Sequence, residues 1–435
     1  MKTVCWFAAA LLAATSVFAA DGDPDFTFAG GGVATRAVTT PLYQLYEPGG
    51  AVGDDGSIVL AAVAGIAPHS TATRFAITKF RQDGSIDPAF GSGGVAEIDF
   101  SDGAANYPAF ARAVARLDAG RWLVAGRIGP NVDLGLARLH ANGQLDTAYG
   151  EAGRARLDVG GQDIVLDLQI DTQQRAWLLI DQSQRTLVRF TADGRPDTTF
   201  GNNGKLSLPG DFAVLGFTLD AQGRIVLCGI QFGATVYSMA VRRLLPDGRI
   251  DTSFADDGLR LIAPDVRAGA QQVRVLPDGR ILVAGNSNGG GNWTGTSKGR
   301  LTVARLTAEG QLDTGYGTNG IRVVDFIGDE RSSAYPDTRM AVSADGKLTL
   351  ARAVVEPVSA IRLARLLPNG QPDASFAPQG KRTLLQQAYN GLTLANVLPA
   401  AQRLVIAGTY NLGEQRVFYA TALRDGDGIF RSGNE

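Results

Sequence analysis

The chain has 435 residues, a formal net charge of −2, 45% hydrophobic residues and 19% charged ones. That is a globular composition with ample material for a core, and its 55 glycines indicate many turns. A near-neutral balance with singly dispersed basic residues excludes the basic face that a nucleic-acid protein needs to displace counterions, and a polybasic membrane patch with it.

Residues 1–20 read as an export signal. Lys2 supplies a short positive region, Trp6 to Leu12 an apolar one, and Val17-Phe18-Ala19-Ala20 a small-residue cleavage site. The stretch is too short for a stable transmembrane helix. Cys5 lies inside it, so the mature chain holds one cysteine, Cys228, and no intrachain disulfide can form. The expectation is an exported, monomeric protein of a bacterial periplasm or exterior, with no membrane insertion after signal removal. Residues 21–435 then form a single domain.

From residue 21 onward the chain repeats a phrase. Asp83-Gly84 is followed by Asp87, Phe90-Gly91 and Gly94. The phrase returns with Asn142-Gly143, Asp146 and Tyr149, and with Asp193-Gly194, Asp197 and Phe200. Further copies carry Asp25 with Phe28, Asp251 with Phe254, Asp313 with Tyr316, and Asp373 with Phe376. Between copies lies a second phrase, a tight turn and a buried apolar run, such as Asp278-Gly279-Arg280-Ile281-Leu282-Val283-Ala284-Gly285. A third strand, such as Ile361 to Leu366, runs into each first phrase. A fourth, such as Ile321 to Phe326, leaves it.

One period therefore holds four short strands, and four-stranded antiparallel units repeated radially are the blades of a β-propeller. Each phrase occurs seven times, so the fold is all-β with seven blades. The chain starts inside a first phrase and its last strand, Val417 to Leu423, lacks a partner, so the N-terminal strand around Val33 to Val38 is expected to complete the last blade and remove two exposed edges.

The run Leu-Ala-Arg-Leu, then Asn-Gly, Asp, an aromatic with Gly, then Gly, is clearest at Leu136 to Gly153 and Leu363 to Gly380. It resembles the delta-60 repeat of bacterial exported proteins. The resemblance implies the propeller and export, and it carries no settled activity. Ala29, Ala255 and Ala377 depart from it at the glycine after the aromatic.

The repeated aspartates supply one carboxylate per blade, whereas calcium needs six to eight converging oxygens. A turn role is expected instead, with no metal and no cofactor. A basic residue sits eight positions earlier in six copies, Lys79, Arg138, Arg189, Arg243, Arg305 and Arg365, which suits an Arg–Asp pin in each blade. The last blade has Thr421 there, so its pin is missing or replaced by Arg424. The repeated aromatics should wedge between blades. Cys228 should be a buried small residue and His140 solvent-facing, while His69 sits in a loop. No catalytic triad, phosphate loop or zinc spacing appears, so no catalytic residue is assigned.

Strand alternation sorts the connections onto two faces. One carries the regular turns. The other carries variable loops, where binding residues tend to sit. The candidate ligand-binding residues on that face are Tyr107, Asp163, Asp211, Asp265, Trp293, Asp329, Tyr335 and Tyr389, with Asp102 beside them. The leading reading is a binding or scaffold module for an unknown protein or glycan. The alternative is a carboxylate-dependent hydrolase or lyase acting on a glycan at the channel mouth, which would require acids roughly 5 to 10 Å apart.

Overall fold

The computed structural model of the protein describes residues 21–37, 49–65, 72–182, 184–288, 299–326, 338–354, 359–385, 390–400, 403–412 and 415–425. Residues 1–20, His69, Trp293, Asp329, Tyr335 and Tyr389 lie outside them. Within the described residues the chain is strand and turn, with three single 3-10 turns and no helix long and apolar enough to cross a membrane.

The strands form seven four-stranded antiparallel units. Six are continuous in sequence: blade 1 (49–98), blade 2 (109–157), blade 3 (164–207), blade 4 (213–262), blade 5 (267–324) and blade 6 (339–384). Blade 7 is composite. Its strands Asn390–Ala400, Arg403–Leu412 and Gln415–Arg424 are completed by Val33–Ala37 from the N-terminal end, in a register that sets Val33 opposite Thr421 and Ala37 opposite Val417. The Thr421 hydroxyl donates to the Gly32 carbonyl at 2.7 Å. A parallel bridge between Tyr237 and Arg267 joins blades 4 and 5 into one larger sheet.

The apolar core lies between blades. Seven clusters of buried side chains each draw on two neighbouring blades, and the seventh, around Phe28, Leu60, Leu398 and Phe418, joins blade 7 to blade 1 and closes the ring. The first strand of each blade is innermost. In blades 2, 3, 4, 5 and 7 it carries a β-bulge, such as that between Ala270 and Gln272. The Ala-Gly ending of the second phrase follows from this packing. A Cβ on Gly285 would sit 1.9 Å from the Gly269 carbonyl oxygen, so no side chain fits across that pair.

The pins form as the spacing expects. Arg243 Nε donates to Asp251 Oδ2 at 2.7 Å, and Arg138–Asp146, Arg189–Asp197, Arg305–Asp313 and Arg365–Asp373 repeat the bond at 2.7–2.8 Å. Lys79 approaches Asp87 more loosely, at 3.5 Å. The second Asp251 oxygen accepts the N–H and hydroxyl of Ser253. Burial alone would raise the Asp251 pKa, but the bonds from Ser253 and Arg243 outweigh it and hold the carboxyl below its usual 3.8.

Each guanidinium also covers the ring of its own phrase, with Arg243 4.7 Å from the Phe254 centroid. Arg138 and Arg243 then reach the following blade: Arg138 Nη1 donates to the Ala192 carbonyl at 2.7 Å and Arg243 Nη1 to that of Ala308 at 2.5 Å. The ring meets the turn glycine of that same blade. Gly310, at φ +87°, would place a Cβ 2.7 Å from the Phe254 ring. One phrase therefore fixes a blade internally and docks it onto its neighbour.

Blade 7 departs from the expectation. Thr421 removes the strand-three arginine, and it is Arg403, from the second strand, that binds Asp25 at 2.6 Å, with Arg424 at 3.8 Å. The reason lies in a reserve cation. In blades 2 to 5 the equivalents Arg121, Arg175, Arg224 and Arg280 stand 3.6–3.9 Å from the pinned aspartate, ready to take the bond where the nearer arginine is missing.

Ala29 and Ala255 occupy the left-handed region at φ 52° and 48°, as Gly150 and Gly317 do at 53° and 56°. This accounts for the preference for glycine there. Ala377 is extended at φ −172° and escapes the cost. Cys228 is fully buried opposite Gly216 and Val241, and burial raises its thiol pKa. His140 is half-exposed.

Arg365 binds three carboxylates, those of Asp373, Asp425 and Asp21, at 2.7, 3.1 and 3.0 Å, while its side chain is only 2% exposed. Arg365→Met strands buried acids and should cost about 3–5 kcal/mol in urea denaturation. Arg195→Met removes an exposed partner of Asp193 and should stay within about 1 kcal/mol. Because the pinned Asp146, Asp197, Asp251, Asp313 and Asp373 all have lowered pKa values, their contribution is complete above the ordinary carboxyl pKa of 3.8. It is lost as pH falls through their folded-state values. Acid unfolding followed by circular dichroism should therefore begin below about pH 4.

Candidate functional site

On the face opposite the pinned turns, the expected binding residues separate into two groups. Asp211 and Asp265 are neutralised locally. Asp211 accepts Arg242 Nη1 at 2.6 Å, and Asp265 pairs with Arg300. Asp102 likewise takes Arg154 at 3.1 Å and Arg156 at 2.7 Å. These acids serve the loops that carry them.

Asp163 belongs to a different arrangement. It precedes the inner strand of blade 3 (Ile164–Ile170), and its side chain is fully buried. Asp158, exposed, follows the last strand of blade 2 (Arg154–Leu157), and Asp133 opens the third strand of the same blade (Asp133–Leu139). One carboxylate oxygen from each of the three lies within 4.8 Å of the others, the one such group of three acids among the described residues. Neither Asp211 nor Asp265 belongs to it.

Backbone contacts hold the group in place. The Asp163 N–H donates to the Val132 carbonyl at 2.9 Å, and the Val159 N–H donates to Asp163 Oδ2 at 2.8 Å. The Gly160 N–H caps Asp158 Oδ1 at 2.8 Å, and Lys205 Nζ binds the Asp158 carbonyl, not its carboxylate, at 2.6 Å. Val132 sits at φ 63°, a conformation a β-branched residue adopts only where its surroundings hold it there. Asp163 Oδ1 is buried with no hydrogen-bond partner. Burial is the main force pushing the Asp163 carboxyl up, to about 6, and the charges of Asp158 and Asp133 add to it. Asp133 is raised as well, by burial and then by Asp158.

Tyr107 adjoins this group. A Cβ on Gly129, in the turn leading to Asp133, would meet the Tyr107 hydroxyl at 2.8 Å. Burial raises the pKa of that hydroxyl, against the opposing charge of Arg156 and with the help of Asp133 and Asp102.

Sequence reasoning found Tyr107 and Asp163 but missed Asp133 and Asp158. The signal for Asp133 is a charge reversal within the repeat. Five positions before the pin cation, blades 1 and 5 carry Arg74 and Arg300, which pair with Asp99 and Asp265, whereas blade 2 carries an acid. Also missed is an exposed apolar patch where blades 4 and 5 meet. Phe232, 57% exposed, packs edge-on against Tyr237 at 5.1 Å, Arg267 covers the Tyr237 ring at 4.6 Å, and Val236 and Val266 lie exposed in the same connections.

The profile described as "Domain of unknown function (DUF5122) beta-propeller" matches residues 54–90, 120–149, 222–254, 276–316 and 343–376. Five stretches of the chain match this repeat family, in blades 1, 2, 4, 5 and 6. Each match spans a second-strand turn and the phrase of Asp87, Asp146, Asp251, Asp313 or Asp373. No curated protein matches the sequence. Among solved structures, the chain is similar to a protein of unknown function from Bacteroides caccae, at 12% identity over 66% of this chain and 84% of that one, with a TM-score of 0.38. It is also similar to the β-propeller domain of the Trilobed protease from Pyrococcus furiosus, at 9% identity over 90% and 99%, with a TM-score of 0.42. A third likeness is to YCF48 bound to D1 peptide, at 10% identity over 92% and 97%, with a TM-score of 0.47.

Crowding three carboxylates without a cation should cost stability at neutral pH. Asp158→Asn, at an exposed position, is expected to raise unfolding stability by about 1 kcal/mol in chelator-containing buffer. Asp211→Asn, which orphans the buried Arg242, is expected to lower it. Urea denaturation of the two variants beside the parent protein separates these outcomes.

Proposed function

We propose that this chain is an exported binding or scaffold module that engages a protein or glycan through its irregular face. The observation that carries the reading is the contrast between the two faces. One repeats the same Asp-Gly turn and pin around the ring, and its chemistry is spent on joining blades. The other gives each blade different loops. There the acids around Asp163, the hydroxyl of Tyr107 and the exposed rim of Phe232, Val236 and Val266 remain available at the surface or just beneath it. Aromatic and aliphatic groups rimmed by arginine are the usual anchors of a recognition surface. The leader-like residues 1–20 support export.

The test is a binding screen of the purified protein against glycan and peptide arrays, followed by titration of any hit. Phe232→Ser is expected to weaken binding by about tenfold or more, as loss of an aromatic anchor does. Ile250→Ser, at an exposed residue on the regular face, is expected to leave it unchanged. A hit weakened by Ile250→Ser and not by Phe232→Ser or Tyr107→Phe would place recognition on the wrong face and defeat the reading.

A further inference from the structure

We propose that Asp133, Asp158 and Asp163 hold a calcium ion that ties blade 2 to blade 3 on the irregular face. Three oxygens mutually within 4.8 Å leave a point no farther than about 2.8 Å from all of them, against the 2.3–2.6 Å of calcium–oxygen bonds. A closure of a few tenths of an ångström completes the fit. Magnesium, at about 2.0–2.1 Å, would require a larger collapse and a stricter octahedron.

A second observation points the same way. Asp163 is fully buried, and its Oδ1 has no hydrogen-bond partner, although a buried carboxylate oxygen left unpaired is costly. Among the described residues no lysine or arginine nitrogen lies within 4.0 Å of any of the three carboxylates, while Asp102, Asp211 and Asp265 on the same face each have an arginine. The ammonium of Lys205 is spent on the Asp158 carbonyl. Three converging acids, one of them a buried carboxylate, left without a protein cation form a site whose missing member is a hard cation. The donors are all oxygen, and exposed Asp158 leaves one side open for entry and for the water ligands that complete the coordination.

One ligand opens the third strand of blade 2, and the other two stand at the two ends of the link from blade 2 into blade 3. An ion there would fasten adjacent blades on the face that has no pins. The repeated aspartates diverge, one to a blade, whereas these three converge.

The experiment is calorimetric titration of chelator-stripped purified protein with calcium chloride, paired with thermal unfolding at increasing calcium. The expected result is one calcium per chain and an unfolding midpoint that climbs with concentration. Asp158→Asn and Asp163→Asn should each weaken binding at least tenfold, and Asp211→Asn should bind as the parent does. Asp158 is exposed, so its variant tests the site even where Asp163→Asn fails to fold. Absence of heat and of any midpoint change up to about 10 mM calcium, beyond the range of extracellular sites, overturns the proposal. Parent-like affinity in Asp158→Asn does so too, and magnesium affinity equal to that of calcium overturns the choice of ion. A failed glycan and peptide screen leaves this titration untouched, so the two readings fall separately.

Discussion

A guanidinium held between a carboxylate and an aromatic ring, with one arm left over for the next blade, is the contact on which this ring depends. Arg243 shows all its parts. It bonds Asp251 and covers Phe254 within its own blade, and it reaches the Ala308 carbonyl in the following one. A buried ion pair is weak support for stability where it stands alone, because desolvation offsets the attraction. Here the remaining oxygens and N–H groups are satisfied by Ser253 and by the neighbouring blade, so the pair is a piece of geometry more than a source of energy. The apolar clusters between blades supply the burial. The pin fixes how a blade sits against the next one.

Much of this was legible because the repeat writes its constraints at fixed positions. The eight-residue spacing from Arg138 to Asp146, the aromatic at Tyr149 and the glycine at Gly143 recur because each does the same job in every blade. The closing strand was readable from an imbalance, an extra strand at Val33 and a missing one after Leu423. Arg403 was not, because its usual place in the repeat is a reserve one. Only the loss of the nearer arginine to Thr421 brings it into contact with Asp25.

The candidate site shows the opposite limit. Asp133 and Asp163 are thirty positions apart in sequence and belong to no shared phrase. They meet because a turn of one blade and the link into the next lie side by side on the irregular face. Repetition reveals what all blades share, and a site is what one blade does differently. The charge reversal at Asp133 is the trace such a difference leaves, and it becomes meaningful once the partners of Arg74 and Arg300 are known.

The composite seventh blade has a consequence for how molecules of this chain meet one another. The bond from Thr421 to Gly32 spans 389 residues, so Val33–Ala37 waits for a strand made after the rest of the ring before it can pair. The entropy of so long a loop grows only logarithmically and does not forbid closure, but contacts this remote form late. Until they form, Val33–Ala37 and the outer edge of Gln415–Arg424 are complementary and unoccupied. A second copy offers the same pair. Crowded chains can therefore exchange N-terminal strands through native hydrogen bonds, and the seam that seals one ring is also the place where two rings become linked.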